Sequence, residues 1–187
     1  MRIRIFGSCA LGLAALLTLA AVPVLAQGPP APAPEMATLA YFGGDWVCTG
    51  KVDATPMGPE HATKAKVGIH KQLGGFWYVG RYAEQKSASN PFPMSFEFLM
   101  GYDGAGKALT MDGYDVFGNR SHQTSAGWQG DKIVFDGQST GPDGKSFPAR
   151  DTFLKKSETV MEHDGEFQFE AGQWAHVDHE VCKRIKK

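Results

Sequence analysis

Alternating apolar and polar positions, separated by short turn sequences, run along most of the chain. In one segment, for example, Met94, Phe96, Phe98, Met100 and Tyr102 occupy every second position. A period of two predicts β-strands with one face on a core, and Gly- and Asp-rich turns separate the segments. The predicted strands are 46–52, 62–73, 76–84, 94–102, 108–115, 120–128, 132–139, 146–154, 159–169 and 173–183.

Nine or ten strands joined mostly by tight turns are typical of an up-and-down antiparallel sheet. A flat sheet of this kind would expose two edge strands, which proteins avoid because free edges pair with other chains. Closing the sheet removes both edges and places the first strand beside the last. We therefore predict an all-β fold, a single closed up-and-down antiparallel β-barrel of 9–10 strands with a short N-terminal helix at 35–42. A two-sheet β-sandwich is the alternative.

Two cysteines in the predicted barrel, Cys48 and Cys182, lie in the first and last strands. Closure of the barrel makes these strands neighbours, and an even number of cysteines in an exported protein favours a disulfide. The alternative is a pair of free thiols in a reducing compartment. We predict the disulfide.

The N-terminal residues have the features of a secretory signal. Arg2 and Arg4 precede an apolar stretch at 11–25, and small residues end the segment at Ala26. This order predicts a cleaved signal peptide at 1–26 and a periplasmic or secreted protein, which contacts a membrane only during export. A retained membrane anchor is the alternative, because about 20 apolar residues span a bilayer. The Pro- and Ala-rich segment 27–34 then predicts an extended linker before a barrel domain at 35–187.

Composition and charge narrow the class of protein. The chain has 187 residues, with 19 Lys and Arg against 20 Asp and Glu. A near-neutral chain without a basic stripe argues against nucleic acid as the partner. The length suits a single domain with a substantial core. No sequence feature predicts a cofactor or a metal, and the oligomeric state stays open.

The last predicted strand contains the polar residues with the greatest chemical interest. If Trp46 and Cys48 face the interior, Cys182 faces it too, since a cross-strand disulfide joins residues on one face. Counting back by twos places Glu180, Asp178, His176 and Trp174 on the interior face. In the alternative, Ala175, Val177 and Val181 face inward and the polar residues are solvated, and one β-bulge would interchange the two faces.

A barrel of this size can hold one small apolar or amphiphilic molecule, so ligand binding is the function that we favour. The predicted ligand-binding residues are Trp77, Phe96, Phe98, Met100, Met111, Trp174, His176 and Asp178. One alternative is an envelope accessory protein that binds another protein. Another is an enzyme in which His176 acts with Asp178 or Glu180 as an acid–base couple, although no nucleophile is evident. The scattered histidines, which are His61, His70, His122 and His163, are interpreted as surface residues.

Several short motifs resemble known families. Gly44-Asp45-Trp46 after a short helix resembles the G-x-W signature of lipocalins and their calycin relatives, which implies a Trp at the closed end of a barrel, packed by Lys183 or Arg184. The wider pattern is similar to an uncharacterised bacterial group, the domain-of-unknown-function family fifteen-seventy-nine. Its motifs are Leu39-Ala40-Tyr41-Phe42-Gly43-Gly44-Asp45-Trp46, Leu73-Gly74-Gly75-Phe76, Gly101-Tyr102-Asp103 and Ser125-Ala126-Gly127-Trp128. This resemblance implies a lipocalin-like fold and no particular activity.

A neighbouring barrel family, the nitrobindins, binds haem through a histidine near its C-terminal strand. His176 and His179 stand in a similar region of this chain. The resemblance therefore implies a less favoured possibility, in which one of these two side chains holds a haem.

Overall fold

The computed structural model of the protein describes residues 28–185. Within them, ten antiparallel strands form a closed up-and-down barrel, as predicted, and the two-sheet alternative is excluded. The strands are β1 (Gly44–Val52), β2 (His61–Gln72), β3 (Trp77–Glu84), β4 (Ser95–Asp103), β5 (Ala108–Asp115), β6 (Arg120–Ser125), β7 (Lys132–Thr140), β8 (Ser146–Ser157), β9 (Val160–Glu170) and β10 (Gln173–Arg184). The predicted signal peptide at 1–26 lies outside the described residues.

The barrel closes where β1 pairs with β10. Cys48 and Cys182 are directly opposite one another in this pairing, and a disulfide bond joins them. Both side chains are buried in the core. The disulfide predicted from the two positions is confirmed, and it fixes the junction between the first and last strands.

A 3₁₀ helix at Pro34–Phe42 covers one end of the barrel. Its buried side chains, Met36, Leu39 and Phe42, are three residues apart, which matches three residues per turn of a 3₁₀ helix. The helix begins at Pro34, inside the predicted linker. The preceding Pro32 is half-buried and lies near Gly75, so the end of that segment packs against the barrel.

Trp46 is fully buried beneath this helix, as the G-x-W resemblance implied. Its indole Nε1 donates a hydrogen bond to the Phe42 carbonyl oxygen at 2.9 Å. The guanidinium of Arg184 lies 4.0 Å from the Trp46 ring centre and also donates to the carbonyls of Tyr41 and Gly43. Arg184, rather than Lys183, therefore packs the tryptophan and holds the helix over this end.

Strand β6 is shorter than predicted, because it ends at Ser125 rather than at Trp128. Gly127 adopts a positive φ of 97°, which redirects the chain away from the sheet. Trp128 then stacks on Phe42 with ring centres 5.6 Å apart and donates to the Thr38 carbonyl. The motif at the end of β6 thus helps close the barrel instead of extending the strand.

Within residues 28–185, no helix has the length and apolarity needed to cross a lipid bilayer.

Candidate ligand-binding cavity

The barrel encloses a cavity of about 640 Å³ between its two ends. Phe42 of the 3₁₀ helix contributes to its floor, and the loops that follow β1, β3 and β5 surround its mouth. Three large apolar side chains on these loops are well exposed: Met57 at 50%, Phe92 at 78% and Phe117 at 49%. The volume falls within the range of small-molecule sites, and the mouth is rimmed with apolar groups.

One wall of the cavity is apolar and is built from β4 and β5. Its large side chains are Phe96, Phe98, Met100 and Met111. The rings of Phe96 and Phe98 stack with their centres 5.6 Å apart. Glycines admit both rings, because a Cβ at position 113 or 80 would lie about 2 Å from one of them. These four predicted site residues therefore line the cavity.

The opposite wall is polar and centres on His163 of β9. Its Nε2 is 2.8 Å from Asp151 Oδ1 and its Nδ1 is 3.0 Å from Asp178 Oδ2. Burial by itself lowers the pKa of His163, but the Asp178 and Asp151 carboxylates outweigh this effect, and the net pKa is well above its ordinary value. We therefore describe His163 as an imidazolium held between two carboxylates.

A glycine on β9 makes the contact between Asp178 and His163 possible. Asp178 is paired with Gly165, and a Cβ at that position would lie only 2.3 Å from Asp178 Oδ1. The missing side chain lets the carboxylate lie flat against β9 and reach the imidazole. Asp178, a predicted site residue, thus contributes to the polar wall.

Gln123 extends the polar wall onto β6. Its side chain is buried, with 1% exposure, and Nε2 donates to Asp151 Oδ2 at 2.5 Å. Because Asp151 requires a donor, this contact also fixes the orientation of the amide. The amide oxygen, Oε1, has no hydrogen-bond partner among the described residues. A buried acceptor without a partner is costly, so this atom marks a place where a ligand group fits.

Glu180 completes the polar wall near the β1–β10 junction. Thr63 Oγ1 donates to Glu180 Oε1 at 2.6 Å, and the Tyr82 hydroxyl donates to the same oxygen at 2.9 Å. Burial raises the pKa of Glu180; the two hydroxyl donors oppose the rise and the nearby Asp178 charge adds to it. Burial, with the Glu180 charge second, also raises the pKa of Tyr82 above its ordinary value.

A β-bulge in β10 corrects the prediction for two residues. His176 pairs with Glu166 and Asp178 with the adjacent Gly165, so Val177 is an extra residue and the alternation inverts there. Val177 and Asp178 both line the cavity, whereas His176 is exposed on the outer surface. Trp174 is also outside, with the Arg150 guanidinium 4.1 Å from its ring centre.

The outward position of His176 separates it from the acids with which it was expected to act. Its ring contacts Asp53 at 2.7 Å and Asp164 at 3.3 Å, and His179 contacts the same Asp164 oxygen at 2.7 Å. Asp178 and Glu180 lie on the other side of the barrel wall. The predicted acid–base couple is therefore not assembled, and neither His176 nor His179 reaches the cavity to hold a haem there.

Trp77 is the remaining predicted site residue that the cavity does not include. It precedes the inward-facing Tyr78 and therefore lies on the outer face of β3. Its ring covers Gly101, where a Cβ would lie 2.3 Å from the indole. Trp77 thus packs outside the barrel, because the bend at Leu73–Gly75 sets the phase of the strand.

Among residues 28–185, one group of side chains has the spacing of metal ligands: Cys48, Glu180 and Cys182. The two sulfur atoms are bonded to each other. They are therefore not thiolates, and the group is not a metal site.

Sequence reasoning missed the centre of the polar wall. The predicted surface position of His163 is wrong, because His163 alternates with Met161, Gly165 and Phe167, all of which line the cavity. That alternation was visible in the sequence and would have placed His163 inside. No local pattern in the sequence connects it with Asp151 or Gln123, because these contacts join separate strands.

Comparison with known proteins supports the fold and adds no activity. No protein-family model and no curated protein matches the chain, so the resemblance to the uncharacterised bacterial family stays a prediction. The crystal structure of Rv2717c from M. tuberculosis is similar at a TM-score of 0.63 and 12% identity, covering 83% of this chain and 99% of that one. A redesigned β-barrel matches at a TM-score of 0.43 and 11% identity, over 80% and 96% of the chains.

Proposed function

We propose that this protein binds a small amphiphilic molecule inside its barrel. The observation that carries the proposal is the division of a cavity of about 640 Å³ into an apolar wall and a polar wall. The apolar wall lies on β4–β5, and the polar wall centres on β8–β10, about half a turn away around a ten-strand barrel, and extends to Gln123 on β6. A ligand with an apolar chain and a polar head matches both walls at once.

The mouth of the cavity supports the same proposal. Met57, Phe92 and Phe117 place apolar surface in solvent at the point where a ligand enters. Exposed apolar groups around an opening are typical of ligand-binding grooves. The opposite end is closed by the 3₁₀ helix, so the mouth is the natural entrance.

Displacement of a fluorescent dye tests this proposal. We expect the disulfide-intact protein to bind N-phenyl-1-naphthylamine saturably and to release it when decyl amphiphiles are added. Ala149→Phe, which fills the cavity, should abolish dye binding, whereas Ala62→Phe on the exposed face of β2 should retain it. Circular dichroism checks that both variants are folded. Absence of saturable binding to the wild type would reject ligand binding in favour of the protein-binding accessory role.

We also propose that the protein is exported and that residues 1–26 are removed. The basic N-terminus followed by an apolar stretch supports this, as does the disulfide, because such bonds persist in oxidising compartments. N-terminal sequencing of the protein recovered from periplasm or medium should begin at Gln27. Recovery of the intact N-terminus from the cytoplasmic fraction alone would contradict export.

A further inference from the structure

The polar wall has more hydrogen-bond acceptors than its own donors satisfy. Five donor atoms around His163 and Glu180 already have carboxylate partners: His163 Nδ1 and Nε2, Thr63 Oγ1, Tyr82 Oη and Gln123 Nε2. The acceptors are in surplus, because each carboxylate oxygen has two lone pairs. Gln123 Oε1, an acceptor in the most deeply buried side chain of this wall, has no hydrogen-bond partner within residues 28–185. A bound molecule that supplies donors would therefore satisfy these acceptors.

The charge of the polar wall also favours a ligand that donates hydrogen bonds, and in particular a cationic one. Asp151, Asp178 and Glu180 are three carboxylates, and His163 is the one cationic group among them. The other ionisable groups that line the cavity are His61, Glu84, Asp115 and Arg120. Glu84 and Asp115 are engaged in loop contacts, through Asn90 and Asn119 respectively, and Arg120 is exposed at the mouth. The surroundings of a ligand head are therefore acidic.

From the surplus of acceptors and the excess of carboxylates, we infer that the ligand carries a cationic, hydrogen-bond-donating head group, of the amine class, on an apolar body. The inference rests on the proposed ligand-binding function. The ammonium lies against Gln123 Oε1 and the neighbouring carboxylates, where charge-assisted hydrogen bonds replace its hydration. The apolar body lies against Phe96 and Phe98 on β4. A carboxylate head would face like charges and would leave Gln123 Oε1 without a donor.

Competition between matched amphiphiles tests the head group directly. Decylamine, decanol and decanoate share one chain length and differ in the head, and each is titrated against the protein loaded with N-phenyl-1-naphthylamine at pH 7. We expect decylamine to bind about 10- to 100-fold more tightly than decanoate, with decanol between them, as charge-assisted hydrogen bonds imply. Equal binding of the three, or tighter binding of decanoate, would overturn the head-group inference and leave amphiphile binding intact. Binding of none would overturn both.

Two double variants locate the source of the preference. Asp178→Asn with Glu180→Gln removes two carboxylates from the polar wall. Asp112→Asn with Glu97→Gln removes two from the outer face of β4–β5, where they contact His122 and Arg81. The net charge of the protein changes equally in both. We expect the preference for decylamine over decanoate to fall about 10-fold in the inner variant alone. An equal fall in both would attribute the preference to overall charge and would overturn the inference.

The comparison of head groups on the wild-type protein needs no substitution. It therefore decides the question even if the inner double variant does not fold. Circular dichroism and the affinity for N-phenyl-1-naphthylamine show whether the inner double variant is folded.

Discussion

The barrel carries two histidine–aspartate clusters of similar design on opposite sides of one wall. Inside, His163 lies between Asp151 and Asp178 at 2.8 and 3.0 Å. Outside, His176 lies between Asp53 and Asp164 at 2.7 and 3.3 Å. The imidazole side chain is 17% exposed in the inner cluster and 43% exposed in the outer one.

This difference in exposure decides what each cluster contributes. In both, burial lowers the pKa of the histidine, but the neighbouring carboxylates raise it by more, so the net pKa is above its ordinary value. Water and salt screen the outer charges, and such pairs contribute little to stability. The inner side chains are less exposed, so removing one partner leaves the remaining charges less compensated by solvent. The same side-chain chemistry therefore contributes to stability inside the barrel and contributes little on its outer surface.

The largest expected difference follows from removing each histidine. His163→Ala leaves Asp151 and Asp178 close together in the cavity wall without a cation. We expect its free energy of unfolding to fall by about 3–5 kcal/mol at pH 6, measured by urea denaturation. The matched variant His176→Ala should stay within about 1 kcal/mol of the wild type. Equal losses in the two variants would show that burial does not distinguish the clusters.

A smaller effect is expected from crowding the inner cluster without removing a charge. Gly165→Ala places a methyl group against the Asp178 carboxylate and moves it away from His163. We expect a loss of about 1–3 kcal/mol, typical of overpacking, measured by thermal or urea unfolding. Gly104→Ala, in a turn where a Cβ meets open space, is the control and should change stability by less than about 0.5 kcal/mol. A Gly165→Ala protein as stable as this control would contradict the packing that we describe.

The pH dependence of stability provides a third test. The folded pKa of His163 is above its unfolded value of 6.5, so its stabilisation is complete below about pH 6.5 and is lost as the pH rises through the folded pKa. The difference in unfolding free energy between wild type and His163→Ala should therefore shrink from pH 6 to pH 9.

The contribution of Glu180 to the free energy of unfolding also falls as the pH rises, because its folded pKa is raised above 4.5. The variant Glu180→Gln separates this contribution from that of His163. NMR titration of the imidazole protons measures His163 on its own. A His163 that titrates below pH 6.5 in the folded protein would refute the proposed imidazolium.

The smallest expected effect concerns salt. In 1 M NaCl the Debye length falls to about 3 Å, which screens exposed pairs and leaves buried ones largely intact. The small effect of His176→Ala on urea denaturation should therefore disappear, while that of His163→Ala should persist. Loss of both effects in salt would mean that solvent ions reach the inner cluster.

The fold was largely predictable from the sequence, because its determinants are local. Alternation and turn residues defined the strands, and the positions of two cysteines agreed with closure. The phase of β10 was not predictable, since the strand contains two competing patterns. Ala175 and Val177 face inward before the bulge, and Asp178 faces inward after it. Each of the two predicted inward faces is therefore correct over half of β10, and the position of the β-bulge between the halves is set by pairing with β9.

The disulfide also changes what a break in the backbone does to this protein. Cys48 and Cys182 are separated by 134 positions, so all nine connections between successive strands lie between them. A single proteolytic nick in the exposed turn at 104–107 therefore yields two fragments that stay covalently attached until a reductant is added. The same adjacency of first and last strands makes that turn a suitable place for new termini in a circular permutant.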